Sequence, residues 1–135
     1  MTPEAKDYLD KARDDLDDAR KIVAIHLATV AARSAYYAAF HAAEALIVER
    51  TGKVAKTHSG VRTEFARLLK DTPGGERAML TFLAQGYKYK EIGDYGVGRS
   101  AVVTDEEAND AIDNAARFLE RVTALLTAQP SNDAP

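Results

Sequence analysis

At 135 residues the chain is long enough for one domain with a buried core and too short for two good ones. It has no cysteine, which removes disulfides, thiolate metal sites and a cysteine nucleophile. Apolar residues make up 46% and charged residues 29%, which excludes wholesale disorder, and a net charge of −3 supplies no overall positive field for nucleic acid or anionic lipid. Any contact with a polyanion needs a local patch, and DNA is not an expected partner. Residues 1–7 show no basic segment running into an apolar stretch, so the expectation is a cytoplasmic chain without a signal peptide.

The first predicted helix runs from Pro3 to about residue 25, with Thr2 as its cap, Pro3 in its first turn and Glu4 at the positive end of the dipole. Leu9, Ala12, Leu16, Ala19 and Val23 line one face at steps of three or four. Asp7, Asp10, Asp14, Asp15, Asp17 and Asp18 crowd the remainder, and such a block of charge is expected to be a solvated face. A break follows over residues 26–29.

From Ile22 to Val48 the only fixed charges are Arg33 and Glu44. Alanine dominates the stretch, and Arg33, His41 and Glu44 would fall at mid-depth in a bilayer, so a membrane span is not expected. Ala31, Ala35, Ala38, Ala42 and Ala45 recur at helical spacing and allow close approach of neighbours. A helix apolar nearly all round belongs at the centre of a bundle. Gly52 is its natural C-terminal cap.

A short third helix is predicted over Ser59 to Lys70, burying Val61, Phe65 and Leu68, and a fourth opens at Thr72-Pro73 and fades between Asp94 and Gly98. Thr104-Asp105-Glu106-Glu107 is a capping box that starts the fifth, whose stripe is Ala108, Ile112, Ala115, Leu119, Val122 and Leu126. The pattern has no strand alternation, repeat or linker. It predicts an all-α, up-and-down bundle of four long helices and one short one over residues 1–129, with a flexible polar tail at 130–135.

Three places could carry chemistry. Arg33, Tyr37 and His41 step by four along the central helix, with Glu44 a turn further, and share a face because each step drifts only about 40°. Arg33 suits a phosphate and His41 a proton transfer; equally, Tyr and His can point hydrogen-bonding tips at a packed neighbour. Lys56, Thr57, His58 and Ser59 stand at the start of the third helix, where free N–H groups and the dipole favour an anion, although Thr and Ser are also ordinary caps there. Tyr87, Lys88, Tyr89 and Lys90, followed by Asp94 and Tyr95, interleave aromatics with lysines as a stacking surface does, or as a helix surface with extended lysines. There is no Walker loop, dinucleotide fingerprint or nucleophile elbow, and the three histidines are scattered without metal spacing, so neither a metal nor a cofactor is expected.

The run Ala35-Tyr36-Tyr37-Ala38-Ala39-Phe40-His41-Ala42-Ala43-Glu44-Ala45-Leu46, followed by Gly52, Lys56-Thr57-His58-Ser59-Gly60 and Gly93-Asp94-Tyr95-Gly96, resembles the HEPN family, in particular its small stand-alone bacterial and archaeal members. The resemblance covers residues 4 to 126. It implies a helical bundle that commonly dimerises and that frequently pairs with a minimal nucleotidyltransferase as a toxin–antitoxin or related module. Many members are metal-independent RNA endonucleases whose signature is an Arg and a His separated by four to six residues, often with a Tyr soon after. Here the nearest pair, Arg33 and His41, has seven residues between and an alanine beyond.

Three readings follow. The first is a toxin-like ribonuclease in which Arg33, His41 and His58 meet across a homodimer cleft, with Lys56, Thr57, Ser59, Tyr37, Lys90, Asp94 and Tyr95 binding phosphate, RNA or nucleotide. The second is a non-catalytic nucleotide- or RNA-binding module that partners a nucleotidyltransferase. The third is a plain helical interaction protein.

Overall fold

The computed structural model describes residues 1–70, 72, 76–98 and 102–128. They form five helices: α1 (Pro3–Ala24), α2 (Ala28–Thr51), α3 (His58–Leu69), α4 (Glu76–Tyr95) and α5 (Asp105–Thr127). Four are long, one is short, and the described residues contain no strand, as the periodicity predicts. Pro73, at the expected opening of α4, and the tail at 130–135 lie outside the described residues.

The boundaries follow from local chemistry. Thr2 Oγ accepts from the Ala5 amide at 3.1 Å, and Pro3 spends no amide at N1. Between α1 and α2 the chain turns through His26 at φ 64°, a left-handed conformation unusual outside glycine, and the His26 ring reaches across to Asp105 at 2.7 Å. Gly52, at φ 71°, ends α2 and returns its N–H to the Val48 carbonyl at 2.8 Å. Thr57 is the cap of α3, so that helix begins one residue before the expected Ser59. A Cβ on Gly60 would fall 2.9 Å from Thr57 Oγ1, so a larger residue there would make the cap shift. At Thr104 both halves of the capping box form.

Helix α2 is the axis of the molecule and touches all the others. Ala31, Ala35, Ala38, Ala42 and Ala45 are fully buried, and so are Ala32, Ala39 and Ala43 on the opposite sides. Side chains this small let helix axes approach towards the near end of the usual range of about 8–10 Å. The larger core residues come from the partners: Leu9 from α1, Phe65 from α3, Leu83 from α4, Phe118 and Val122 from α5, with Phe65 and Phe118 stacked at 5.2 Å. Since α2 is packed by neighbours on nearly every side, its polar residues are confined to the seams between those helices. That confinement makes the site.

Candidate functional site

Along α2, Arg33, Tyr37 and His41 emerge on one seam, between α1 and α4. The acidic helix α1 supplies Asp15, which is not solvated like its neighbours: it is 7% exposed. Its Oδ2 accepts from His41 Nδ1 at 2.6 Å, and its Oδ1 accepts from Lys11 Nζ at 2.8 Å. Burial alone would push the Asp15 carboxyl up. The hydrogen bonds and charges of His41 and Lys11 outweigh this and hold it below the usual carboxylate range. An ionised carboxylate only accepts, so Nδ1 of His41 carries the proton and Nε2 is the nitrogen left for chemistry. Glu44 Oε1 lies 3.8 Å from that Nε2, and burial pushes the Glu44 carboxyl up.

Arg33, Tyr37 and His41 open with Lys11, Asp15 and Ser34 into one hollow of about 240 Å³. The Arg33 guanidinium lies over the Tyr37 ring at 4.9 Å, and its Nε donates to Asp94 Oδ1 at 2.9 Å. Lys90 Nζ holds the other oxygen of Asp94 at 3.0 Å. The Lys90 bond and the Arg33 charge keep the Asp94 carboxyl low. Gly93 lets Arg33 lie flat across α4, since a Cβ there would sit 3.0 Å from Arg33 Cδ. Tyr95, 74% exposed, has Lys90 Nζ 5.3 Å from its ring centre.

Behind the hollow is an aromatic cluster. The His58 ring stacks on Phe40 at 4.4 Å and meets Tyr36, Tyr37 and Tyr87 at 5.1–5.9 Å. Tyr37 bridges the two histidines, with its ring 5.7 Å from that of His41. Arg62, one turn after His58 on α3, lies over Tyr87 at 5.2 Å. Lys56, Thr57 and Ser59 remain on the exposed capping turn beside His58, where Thr57 Oγ accepts from the Gly60 amide.

Of the residues singled out from the sequence, Arg33, Tyr37, His41, His58, Lys90, Asp94 and Tyr95 form one continuous seam; Lys56, Thr57 and Ser59 flank it. Glu44, noted from the sequence in the same row, joins it, and Asp15, Lys11 and Arg62 complete it without having been among those candidates. Asp15 was legible in one respect, for it falls beside Leu16 on the buried stripe of α1. Among the described residues no group of three His, Cys, Asp or Glu side chains is disposed to hold a metal ion. No helix among them is long and apolar enough to cross a membrane.

The family model for the HEPN domain matches residues 5–125. The chain belongs to the HEPN family. Among curated relatives of this HEPN chain, a UPF0332 protein of Gloeobacter violaceus is 29% identical over 120 residues, covering 89% of this chain and 94% of the relative. A UPF0332 protein of Thermotoga maritima is 28% identical, with 86% of each chain covered. A solved structure of a protein from Thermus thermophilus superposes with a TM-score of 0.73 at 28% identity, covering 90% of this chain and 98% of that one. A crystal structure described as an archaeal HEPN homologue gives a TM-score of 0.69 at 20% identity, covering 93% and 100%, and shares the HEPN fold.

Proposed function

We propose that this HEPN protein is a toxin-type, metal-independent RNA endonuclease that works in the cytoplasm as a homodimer and is paired with a minimal nucleotidyltransferase as its antitoxin. The observation that carries the reading is the shared hollow of Arg33, Lys11 and His41, with the His41 ring oriented by Asp15. Arg33 and His41 are eight residues apart, a rise of about 12 Å along the helix, so in this reading their side chains converge within the shared hollow on one phosphodiester. His41 Nε2 takes the proton of the ribose 2′-hydroxyl, and the 2′-oxygen attacks phosphorus. The bond to the 5′-oxygen breaks, that oxygen takes a proton from water, His41 later returns its own to solvent, and a 2′,3′-cyclic phosphate remains. Arg33 and Lys11 oppose the charge that builds on the phosphoryl oxygens. Lys90 and Tyr95 extend the seam for a neighbouring phosphate and base, with Lys56, Thr57 and Ser59 at its far edge. The exposed Ile25, Leu27 and Val30, at the start of α2 on the way to Arg33, are the surface a second copy would cover.

One observation favours the alternative of a non-catalytic RNA- or nucleotide-binding module. Glu44 Oε1 stands 3.8 Å from the same Nε2 that must act as base and crowds the place a ribose hydroxyl would have to take. His41→Asn separates the two readings, because an Asn amide still donates to Asp15 but moves no proton. The ribonuclease reading expects cleavage of a labelled RNA in EDTA by the parent and none by the variant, with RNA binding retained. Parent protein that binds the RNA and leaves it intact establishes the binding module.

A further inference from the structure

Tyr36 is wholly buried, and its hydroxyl has one hydrogen-bond partner among the described residues, His58 Nδ1 at 2.6 Å. The pair has two proton arrangements. If Nδ1–H donated to the phenol oxygen, the phenol hydrogen would be left buried without an acceptor, which folded proteins avoid. If the phenol donates, both groups are satisfied. Burial holds Tyr36 firmly in its O–H form, and burial together with the charges of Lys90 and Arg62 lowers His58, so the ring is neutral near pH 7. A neutral imidazole carries one proton; with Nδ1 accepting, that proton is on Nε2.

We propose that Tyr36 is a positioning residue that fixes His58 as its Nε2–H tautomer, so that His58 serves the site as a neutral hydrogen-bond donor to a phosphate oxygen and not as a proton acceptor. The surroundings suit an anion. Arg62 and Lys90 approach the Tyr87 ring at 5.2 and 5.9 Å, and His58 meets the same ring at 5.1 Å. Arg62 Nη1 is buried with no hydrogen-bond acceptor among the described residues. Of the groups that act electrostatically on His58, Lys90, Arg62 and His41 are basic, and Asp94 is the acid, already engaged by Lys90 and Arg33. Donors therefore outnumber acceptors here. The ligand half of the proposal rests on the phosphodiester reading above; the tautomer half does not.

The roles divide accordingly: His41 moves the proton and His58 steadies the charge. Long-range proton–nitrogen NMR of the ¹⁵N-labelled full chain at pH 8 reads the tautomer directly, whether or not the protein cleaves RNA. The expected spectrum has His58 Nε2 as the protonated nitrogen and Nδ1 as the bare one, with the preference lost in Tyr36→Phe. A parent spectrum with the proton on Nδ1, or a Tyr36→Phe spectrum that keeps the parent pattern, overturns the proposal. For the ligand half the probe is inorganic pyrophosphate. His58→Gln retains an N–H donor and is expected to bind within about twofold of the parent, whereas His58→Ala loses about tenfold, the ratio for a lost charge-assisted hydrogen bond. Equal affinity in His58→Ala and the parent removes His58 from the anion site. Absence of RNA cleavage with the tautomer and affinities as stated would count against the nuclease reading alone.

Discussion

Two glycines on α4, seven residues apart, face α2 at residues of the site, and the same substitution at each is expected to act with opposite sign. In a helix interior Gly→Ala ordinarily stabilises by up to about 1 kcal/mol. At Gly86 the new Cβ would stand 3.0 Å from Tyr36 Cδ1 and 3.6 Å from its Cβ. Tyr36 cannot give way: it is fully buried, ringed by Tyr37, Phe40, His58 and Tyr87 at 5.3–6.0 Å, and its hydroxyl is tied to His58. Overpacking of that kind costs about 1–3 kcal/mol, so the net for Gly86→Ala is a loss of about 1 kcal/mol, or a Tm fall of about 4 °C. At Gly93 the obstacle is Arg33 Cδ, also at 3.0 Å, but it belongs to a flexible side chain that is 40% exposed. Arg33 can swing aside, so Gly93→Ala holds or raises Tm while pulling Arg33 away from Asp94 and weakening phosphate binding. Thermal unfolding of both variants by circular dichroism at neutral pH is the assay. If Gly86→Ala stabilises as much as Gly93→Ala, the close packing of Tyr36 against α4 is not the constraint described here.

Two further predictions concern the carboxylates around His41. Asp15→Asn should cost about 2–3 kcal/mol at pH 7, below the roughly 3–5 of a fully buried pair because His41 and Lys11 keep partial contact with water. Since the Asp15 carboxyl is held low, its contribution is complete above about pH 4 and is lost as the pH falls further, so denaturation midpoints of parent and variant should converge in acid. A difference that is constant from about pH 3 to pH 8 would refute the ion-pair account. Glu44 has the opposite sign. Burial raises it, so its ionisation opposes folding; the parent is most stable below about pH 4 in this respect and loses that stability as the pH rises through the raised value. Glu44→Gln should therefore be more stable than the parent at pH 7 and equal to it in acid, and a less stable variant at pH 7 would mean that pairing with His41 outweighs burial.

Helices were legible wherever the signal was local. The capping box at Thr104, the αL position at Gly52 and the all-round apolar α2 each follow from chemistry within a few residues of chain. The site was legible by half. Arg33, Tyr37 and His41 could be grouped because they share one helix, and His58 and Lys90 stood out as types. What joins them is tertiary: whether an aspartate in a run of six faces water or a histidine depends on the roll of α1 against α2, and Asp15 differs from Asp14 only in falling on the apolar stripe. Arg62 offered no motif. It matters because α3 folds back to put it over Tyr87, a contact between separate helices that no spacing along the chain encodes. The seven-residue interval between Arg33 and His41 likewise says little by itself. Two turns of helix are bridged by a hollow, and the hollow is made by α1.

The claim that the Arg33–His41 hollow cuts RNA through its own 2′-hydroxyl is tested most directly by the chemistry of the new ends. The protein is incubated in EDTA with a single-stranded RNA and with the same strand carrying 2′-deoxyribose at the cleaved position, and the products are weighed by mass spectrometry. The account predicts a 2′,3′-cyclic phosphate and a free 5′-hydroxyl from the RNA, and an intact deoxy-substituted strand. Products bearing 5′-phosphates, or cutting of the deoxy-substituted strand at the same position, would contradict it.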